Sequence, residues 1–372
     1  MKLRDRGWRV RQLREEGRRI FGYFCCYVPL EFLTALEIVP YRIWGNMEEP
    51  IEKANLHFIS TSCHYVRSCF DNALKGYFDF FDGVVGAKTC DTADRLFQVW
   101  KYVLKPPYSH VIHIPNAAHP SSYEFFKAEL ELFKESLETF TGRRITTDRL
   151  RKAIKEHNTN RNLVKELYEL RKEKPPVISG SEFHEILIQA LSLPVEEASR
   201  MLRNKREEFL NRHKEDIRKP RILLWGTPVD DVSFLQLIEE CGADVVMDDT
   251  CVGSRHWWPE VSETDDDPMT ALADRYTDGL RCPFRFPDII AGHKQDVEKR
   301  YGYLKEYIEE FKVDGVIMQV VGYCAIHALD VPDVKDYLNE LGVPVLVLEH
   351  NYSTATFAPL RTRIQAFIET LE

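Results

Sequence analysis

Apolar runs broken by turn residues recur along this chain in a rhythm that alternates strand with helix. RIFGYFCCYV is strand-like, PLEFLTALEI has helical spacing, VPYRIWG is a second strand, and FDGVVGAKT and HVIHIP add two more after a helix predicted around 63–76. A second series starts at 221 with RILLWGTPV and continues through the helix DVSFLQLIEEC to GADVVMDDT, VDGVIMQVV and VPVLVLEH. Each series holds four strands. Strands that alternate with helices argue for parallel sheets covered on their faces.

Aligned by role, both series read strand, proline-containing turn, helix, strand, long excursion, an Asp-Gly strand ending near a cysteine, and a final strand. They read as two copies of one α/β unit. Between them, SSYEFFKAELELFKESLETF, TTDRLRKAIKEHNTNRNLVKELYELRKE and SLPVEEASRMLRNKREEFLNRHKE carry apolar residues at helical spacing, with a break at Pro175 and Pro176. The expected fold class is α/β, with two flavodoxin- or Rossmann-like parallel-sheet lobes and an intervening helical segment. The boundaries fall at 1–19 for a basic N-terminal helix or arm, 20–118 for the first lobe, 119–217 for the helical segment, and 218–372 for the second lobe with its C-terminal helix.

Composition narrows the partners. The net charge of −9 makes nucleic acid a poor partner, although the first 19 residues carry eight Lys or Arg against three acids. That arm reads as a solvated helix face or a contact between subunits. No apolar run reaches the roughly 18 residues a bilayer requires, and no apolar core follows the charged N-terminus, so neither membrane nor export is expected. The expected location is the cytoplasm. Nine cysteines in such a chain are not a disulfide framework, which leaves metal ligation, catalysis or burial.

In doubly wound sheets, ligands bind beyond the carboxyl ends of the strands. Cys90 and Cys324 sit at that end of corresponding strands, so two facing lobes would bring their thiols into one cleft. Cys63, in STSCHYVRSCFD, starts a helix whose dipole favours a thiolate. Three thiolates from separate segments suit an iron–sulfur cluster with one iron left open, or a zinc ion; read singly, each is also a small buried hydrophobe. Cys282, in LRCPFRF, follows a predicted helix and is a further candidate for the cleft, whereas Cys25 and Cys26 lie inside a strand and would point to opposite faces. Glu31, in VPLEFL, either aims its carboxylate at the cleft from a helix start or caps that helix. GVVGAKT lacks phosphate-loop spacing, and SETDDDP reads as a solvated loop rather than a cation site.

Taken in order, YVPLEFLTALEIVPYRIWG, CHYVRSCFD, FDGVVGAKTCD, DDTCVGSR, DPMTALADRY, VDGVIMQVVGYC and GVPVLVLEHNYS resemble, over nearly the whole chain, the iron–sulfur subunits of 2-hydroxyacyl-CoA dehydratases and benzoyl-CoA reductases. The resemblance implies a 4Fe-4S cluster held by Cys63, Cys90 and Cys324, with the remaining iron free of cysteine. It also implies a related second subunit, paralogous or identical, an acyl-CoA substrate, and a separate ATP-dependent iron–sulfur activator that supplies a low-potential electron. That electron would turn a 2-hydroxyacyl thioester into a ketyl radical anion able to lose hydroxide, or would begin reduction of an aromatic thioester. A double-cubane centre, as in related small-molecule reductases, would draw on Cys25 or Cys26 and on Cys282. A non-catalytic partner in a heterodimer is the reading from another class. His64 stands where the family usually has Pro, and Glu37 where it usually has Gly.

Overall fold

In the computed structural model, which describes residues 3–212, 218–287 and 292–371, the eight predicted strands pair into two four-stranded, all-parallel sheets. The first holds β1 (Ile20–Phe24), β2 (Val39–Arg42), β3 (Gly83–Lys88) and β4 (Ser109–His113) in the order β2-β1-β3-β4. The second holds β5 (Arg221–Gly226), β6 (Asp244–Asp249), β7 (Gly315–Val321) and β8 (Val345–His350) in the order β8-β7-β5-β6. Counted from its own first strand, each sheet therefore runs 2-1-3-4. The duplication read from element order is thus repeated in the strand topology.

Every residue of β5 and β7 is buried. Strands covered on both faces need apolar residues at every position, which is why they appear as unbroken runs rather than alternations. At the end of β5, Gly226 takes φ +141, and a Cβ there would stand 1.9 Å from the carbonyl oxygen of Gln319. Only glycine lets β5 and β7 approach so closely where the chain leaves the sheet.

The first unit contains α1 (Trp8–Glu15), α2 (Leu30–Ala35), α3 (His64–Leu74) and α4 (Asp91–Leu104). The intervening segment is four helices, α5 (Pro120–Thr141), α6 (Thr147–Glu169), α7 (Gly180–Ala190) and α8 (Val195–Leu210). Their starts follow from the sequence: the Thr146 and Ser179 side chains accept from the amides of Arg149 and Glu182 as N-caps. The second unit adds α9 (Ser233–Glu240), α10 (Pro268–Asp274), α11 (His293–Tyr301), α12 (Tyr303–Phe311), α13 (Ala325–Glu340) and α14 (Phe357–Glu369).

One buried hydrophobic cluster joins Ile20 and Phe97 of the first unit, Leu167 and Phe183 of the helical segment, and Trp225 and Met318 of the second. The units are thus packed into a common core. The lobes also touch through a two-residue parallel pairing of Ala117–Ala118 with Phe286–Pro287, an element too short to leave a sequence pattern. The basic arm is folded back on the chain: Arg9 meets Glu197 of α8 at 2.6 Å, and Arg6 donates to the carbonyl of Asp230 at 2.7 Å. Glu37 takes φ +62 just past α2, a left-handed conformation that glycine adopts freely, and its carboxylate meets Arg143 at 3.0 Å. Among the described residues, no helix is long and apolar enough to cross a membrane.

Candidate functional site

Winding direction reverses between the first and third strands of each sheet, which opens a crevice beyond the carboxyl ends of β1 and β3 in one lobe and of β5 and β7 in the other. A cavity of about 80 Å³ occupies this place, lined by Cys25, Cys63, Cys90, Cys251, Cys282 and Cys324. Phe24, Val66, Ala93, Phe284 and Ile326 complete an apolar wall. Sulfurs far apart in sequence share one chamber because both switch points face it.

Cys63, Cys90 and Cys324 each occupy the position immediately before a helix, those helices being α3, α4 and α13. The helix dipole places partial positive charge there, which favours an anionic sulfur. Cys90 Sγ accepts from the amide of Ala93 at 3.3 Å, and burial otherwise pushes its thiol up to about 12. Cys63 and Cys324 touch: the hydrogen bond from Cys324 lowers Cys63, while the same contact and burial raise Cys324.

A polar chain backs Cys324. Asp249 binds Arg255 through two hydrogen bonds of 2.9 Å, and Arg255 Nη1 lies 2.8 Å from His327 Nε2. A guanidinium has no lone pair to offer, so Nε2 must accept and the ring proton sits on Nδ1. Nδ1 lies 3.3 Å from Cys324 Sγ and donates to it. Burial, reinforced by Arg255, lowers the His327 imidazole to about 3. The histidine is therefore a fixed neutral donor to sulfur.

The second group of sulfurs corrects an expectation. β1 ends at Phe24, so Cys25 and Cys26 follow the strand instead of lying within it, and Cys25 turns the chain at φ +86. The turn brings both sulfurs to one place: Cys25 is hydrogen-bonded to Cys26, which also contacts Cys251 and Cys282. Hydrogen bonds from Cys26 and Cys282 hold Cys251 well below the usual thiol range. Tyr323, just before Cys324, is a further non-glycine residue at positive φ, 63°. Strained backbone of this kind, of order 1–3 kcal/mol per residue, concentrates at functional sites.

Cys251 escapes a reading of the sequence, although it follows β6 as Cys90 follows β3. Arg42, at the end of β2, and His327 also reach the chamber and escape it too, because nothing local marks them. Cys69, inside α3, and Cys241, at the end of α9, lie outside it. Among the described residues, no three His, Cys, Asp or Glu side chains converge as ligands of a single ion.

Glu31 does not face this chamber, nor does it cap its helix. It is completely buried, with Oε1 2.5 Å from Arg161 and Oε2 accepting from the Tyr276 hydroxyl at 3.0 Å. Burial favours the neutral acid, but Arg161, with His157 and Arg275, outweighs it and holds the carboxyl far below its usual range. Arg161 also donates to Asn158, whose amide reaches the Val261 carbonyl and Glu263. The acids of SETDDDP stay near the surface, where Asp267 caps α10 and meets Lys127 at 3.1 Å.

The family described as 2-hydroxyglutaryl-CoA dehydratase, D-component, matches residues 25–371. The chain belongs to that family. The match begins at Cys25 and so includes every cysteine of the chamber. YjiM of Escherichia coli (strain K12), which carries the name of a dehydratase subunit, is 29% identical over 97% of this chain and 94% of its own. A benzoyl-CoA reductase subunit of Thauera aromatica is 27% identical over 96% and 92%, and the (R)-phenyllactyl-CoA dehydratase beta subunit of Clostridium sporogenes is 25% identical over 97% and 94%. These relatives carry the names of subunits, so the family is one of multisubunit assemblies.

Proposed function

We propose that this chain is an iron–sulfur catalytic subunit that passes a low-potential electron to a substrate at the cysteine chamber. The observation that carries the reading is the lining of one small cavity by six cysteines from six separate stretches of chain. Thiolate sulfur is the donor that iron–sulfur clusters take. Sulfurs spread around a cavity, rather than converging on one point, suit a cluster better than a lone zinc ion.

Cys63, Cys90 and Cys324 would hold a 4Fe-4S cluster, and Cys25 or Cys26, Cys251 and Cys282 an adjoining one, making a double-cubane centre. Iron–sulfur clusters as a class reach potentials as low as about −700 mV, so one held here would bring low-potential electron transfer to the chamber. The chain's own part is threefold: helix N-termini stabilise anionic sulfur, His327 donates to Cys324, and the aromatic and aliphatic wall excludes water. A larger cavity of about 750 Å³ meets the chamber at Cys282 and is flanked by Arg281, Arg285, Lys299 and Tyr303. It would seat a substrate's anionic portion with the reacting group toward the sulfurs.

Acyl-CoA thioesters are the substrate class that the names of the dehydratase and reductase relatives favour, with removal of water from a 2-hydroxyacyl group or reduction of an aromatic one as the reaction. The second group of cysteines favours instead the reduction of a small molecule at a double cubane. An ATP-dependent activator would deliver the electron, a related subunit would complete the enzyme, and the cytoplasm would house it. Anaerobic iron and sulfide analysis tests the assignment: about eight of each per chain supports two cubanes, about four supports one, and none after reconstitution overturns it. Turnover that survives loss of these cysteines but requires those of a second subunit would make this chain the silent partner.

A further inference from the structure

Arg42 ends β2 and lines the cysteine chamber, yet it is only 2% exposed and forms no ion pair among the described residues. Its Nε and Nη1 have no hydrogen-bond partner. The guanidinium stands over the rings of Tyr23 and Trp44 at 5.9 and 5.8 Å, and the groups that act on its charge most strongly are Tyr65, Tyr23, Cys251 and Cys26. Burial keeps Tyr65 and Tyr23 protonated, the contact with Cys25 does the same for Cys26, and Cys251, the one of the four held below the usual thiol range, already has Arg255 acting on it.

The contrast with its neighbours is sharp. Arg255, which also acts on Cys251, is neutralised by both oxygens of Asp249. Arg275, which acts on Cys26, places Nε and Nη2 on the carbonyls of Pro259 and His256 and leaves Nη1 alone without a partner. A buried charge without counter-charge and with donors unmet is strongly unfavourable, and arginine does not escape by losing its proton. Something anionic must therefore stand against Arg42 when the protein functions, and the described groups facing it that can become anionic are sulfurs and phenols. Cysteines that have given up their protons to bind a metal centre meet that need.

We propose that Arg42 is the counter-cation of the anionic centre held by the chamber's cysteines, a positioning residue that keeps that negative charge in place and eases the arrival of an electron. The inference rests on the reading that the chamber holds an iron–sulfur centre. A fixed positive charge beside such a centre stabilises its reduced form, which carries one more negative charge, and so raises its reduction potential. It acts through the centre rather than on the substrate.

The test compares wild-type protein, Arg42→Met and Arg42→Lys, each metal-free and each reconstituted anaerobically with ferrous iron and sulfide. Without metal, Arg42→Met should melt at a higher temperature than wild type, because an uncompensated buried charge has gone. With metal, Arg42→Met should either hold less iron or titrate at a more negative potential, and Arg42→Lys should stay nearer wild type in both readouts. A metal-free Arg42→Met that melts lower than wild type would make Arg42 a packing residue and overturn the proposal. So would a loaded Arg42→Met with full iron and wild-type potential, or an Arg42→Lys indistinguishable from Arg42→Met. Failure of the wild-type protein to take up iron sinks the reading of the chamber instead, while the metal-free comparison still decides whether Arg42 awaits an anion.

Discussion

Two buried polar regions lie on the seam between the lobes, and they are finished differently. At Glu31, the carboxylate and the groups bound to it are paired: Arg161 and Tyr276 take its two oxygens, Asn158 carries the network to Val261 and Glu263, and His157 meets Thr34 at 2.9 Å, while Nη1 of the neighbouring Arg275 is left over. Around the cysteines, Arg42 Nε and Nη1 and the Tyr23 and Tyr65 hydroxyls have no partner, and the sulfurs border a void. Buried polar groups in folded proteins are paired as a rule, so orphaned donors beside a cavity mark what the chain was shaped to hold. The first region is a fastening between lobes. The second, on the function proposed above, is a receptacle.

The largest expected effect separates the two outright. Replacing Cys324 with Ser should abolish the brown chromophore and most of the iron of anaerobically prepared protein while the fold persists, since serine nearly keeps the side chain's size at a half-buried position; full iron retention would break the contrast. Glu31→Gln should do the opposite, leaving iron uptake intact and costing about 3–5 kcal/mol of stability, because Arg161 is left buried without its counter-charge. Urea unfolding measures it.

Glu31 also predicts a pH dependence. Its carboxyl is held below the ordinary value of 4.5, so its stabilisation is complete above about that pH and is lost as the pH falls toward the folded value. Wild-type stability should decline below pH 4.5 more steeply than that of Glu31→Gln, and parallel curves would show that the pair is not what acid breaks. His327→Phe lies between the regions in kind: loss of the Nδ1–H donor and of the acceptor for Arg255 should cost about 1–3 kcal/mol and shift the potential of the bound centre, read by potentiometric titration. The smallest effect is a control. Thr146→Ala removes the N-cap of α6, about four turns before Arg161 on that helix, and should cost about 1 kcal/mol with no change in iron content.

Much of this is legible in the chain. Unbroken apolar runs such as RILLWG and GVIMQVV announce strands covered on both faces, and the repeated order of elements anticipates the shared 2-1-3-4 topology. Positions just past such strands, or just before a helix, are fixed by local geometry, and so Cys63, Cys90 and Cys324 are readable as a set. Glu31 misleads because a carboxylate at a helix start is informative only when its surroundings are known. Arg161 and Tyr276 lie 130 and 245 residues away.

What the amino-acid order determined by itself was the inventory: strands, helices, caps, and three cysteines at the ends of elements, each set by interactions within a few residues. Tertiary structure decided the company they keep. The left-handed turn at Cys25 redirects two sulfurs that a straight strand would have sent to opposite faces, and the facing of the two sheets brings Cys251 and Cys282 across to them. Only that facing leaves Arg42 buried and unpaired, because whether a charge is satisfied depends on every segment packed around it, not on its neighbours along the chain.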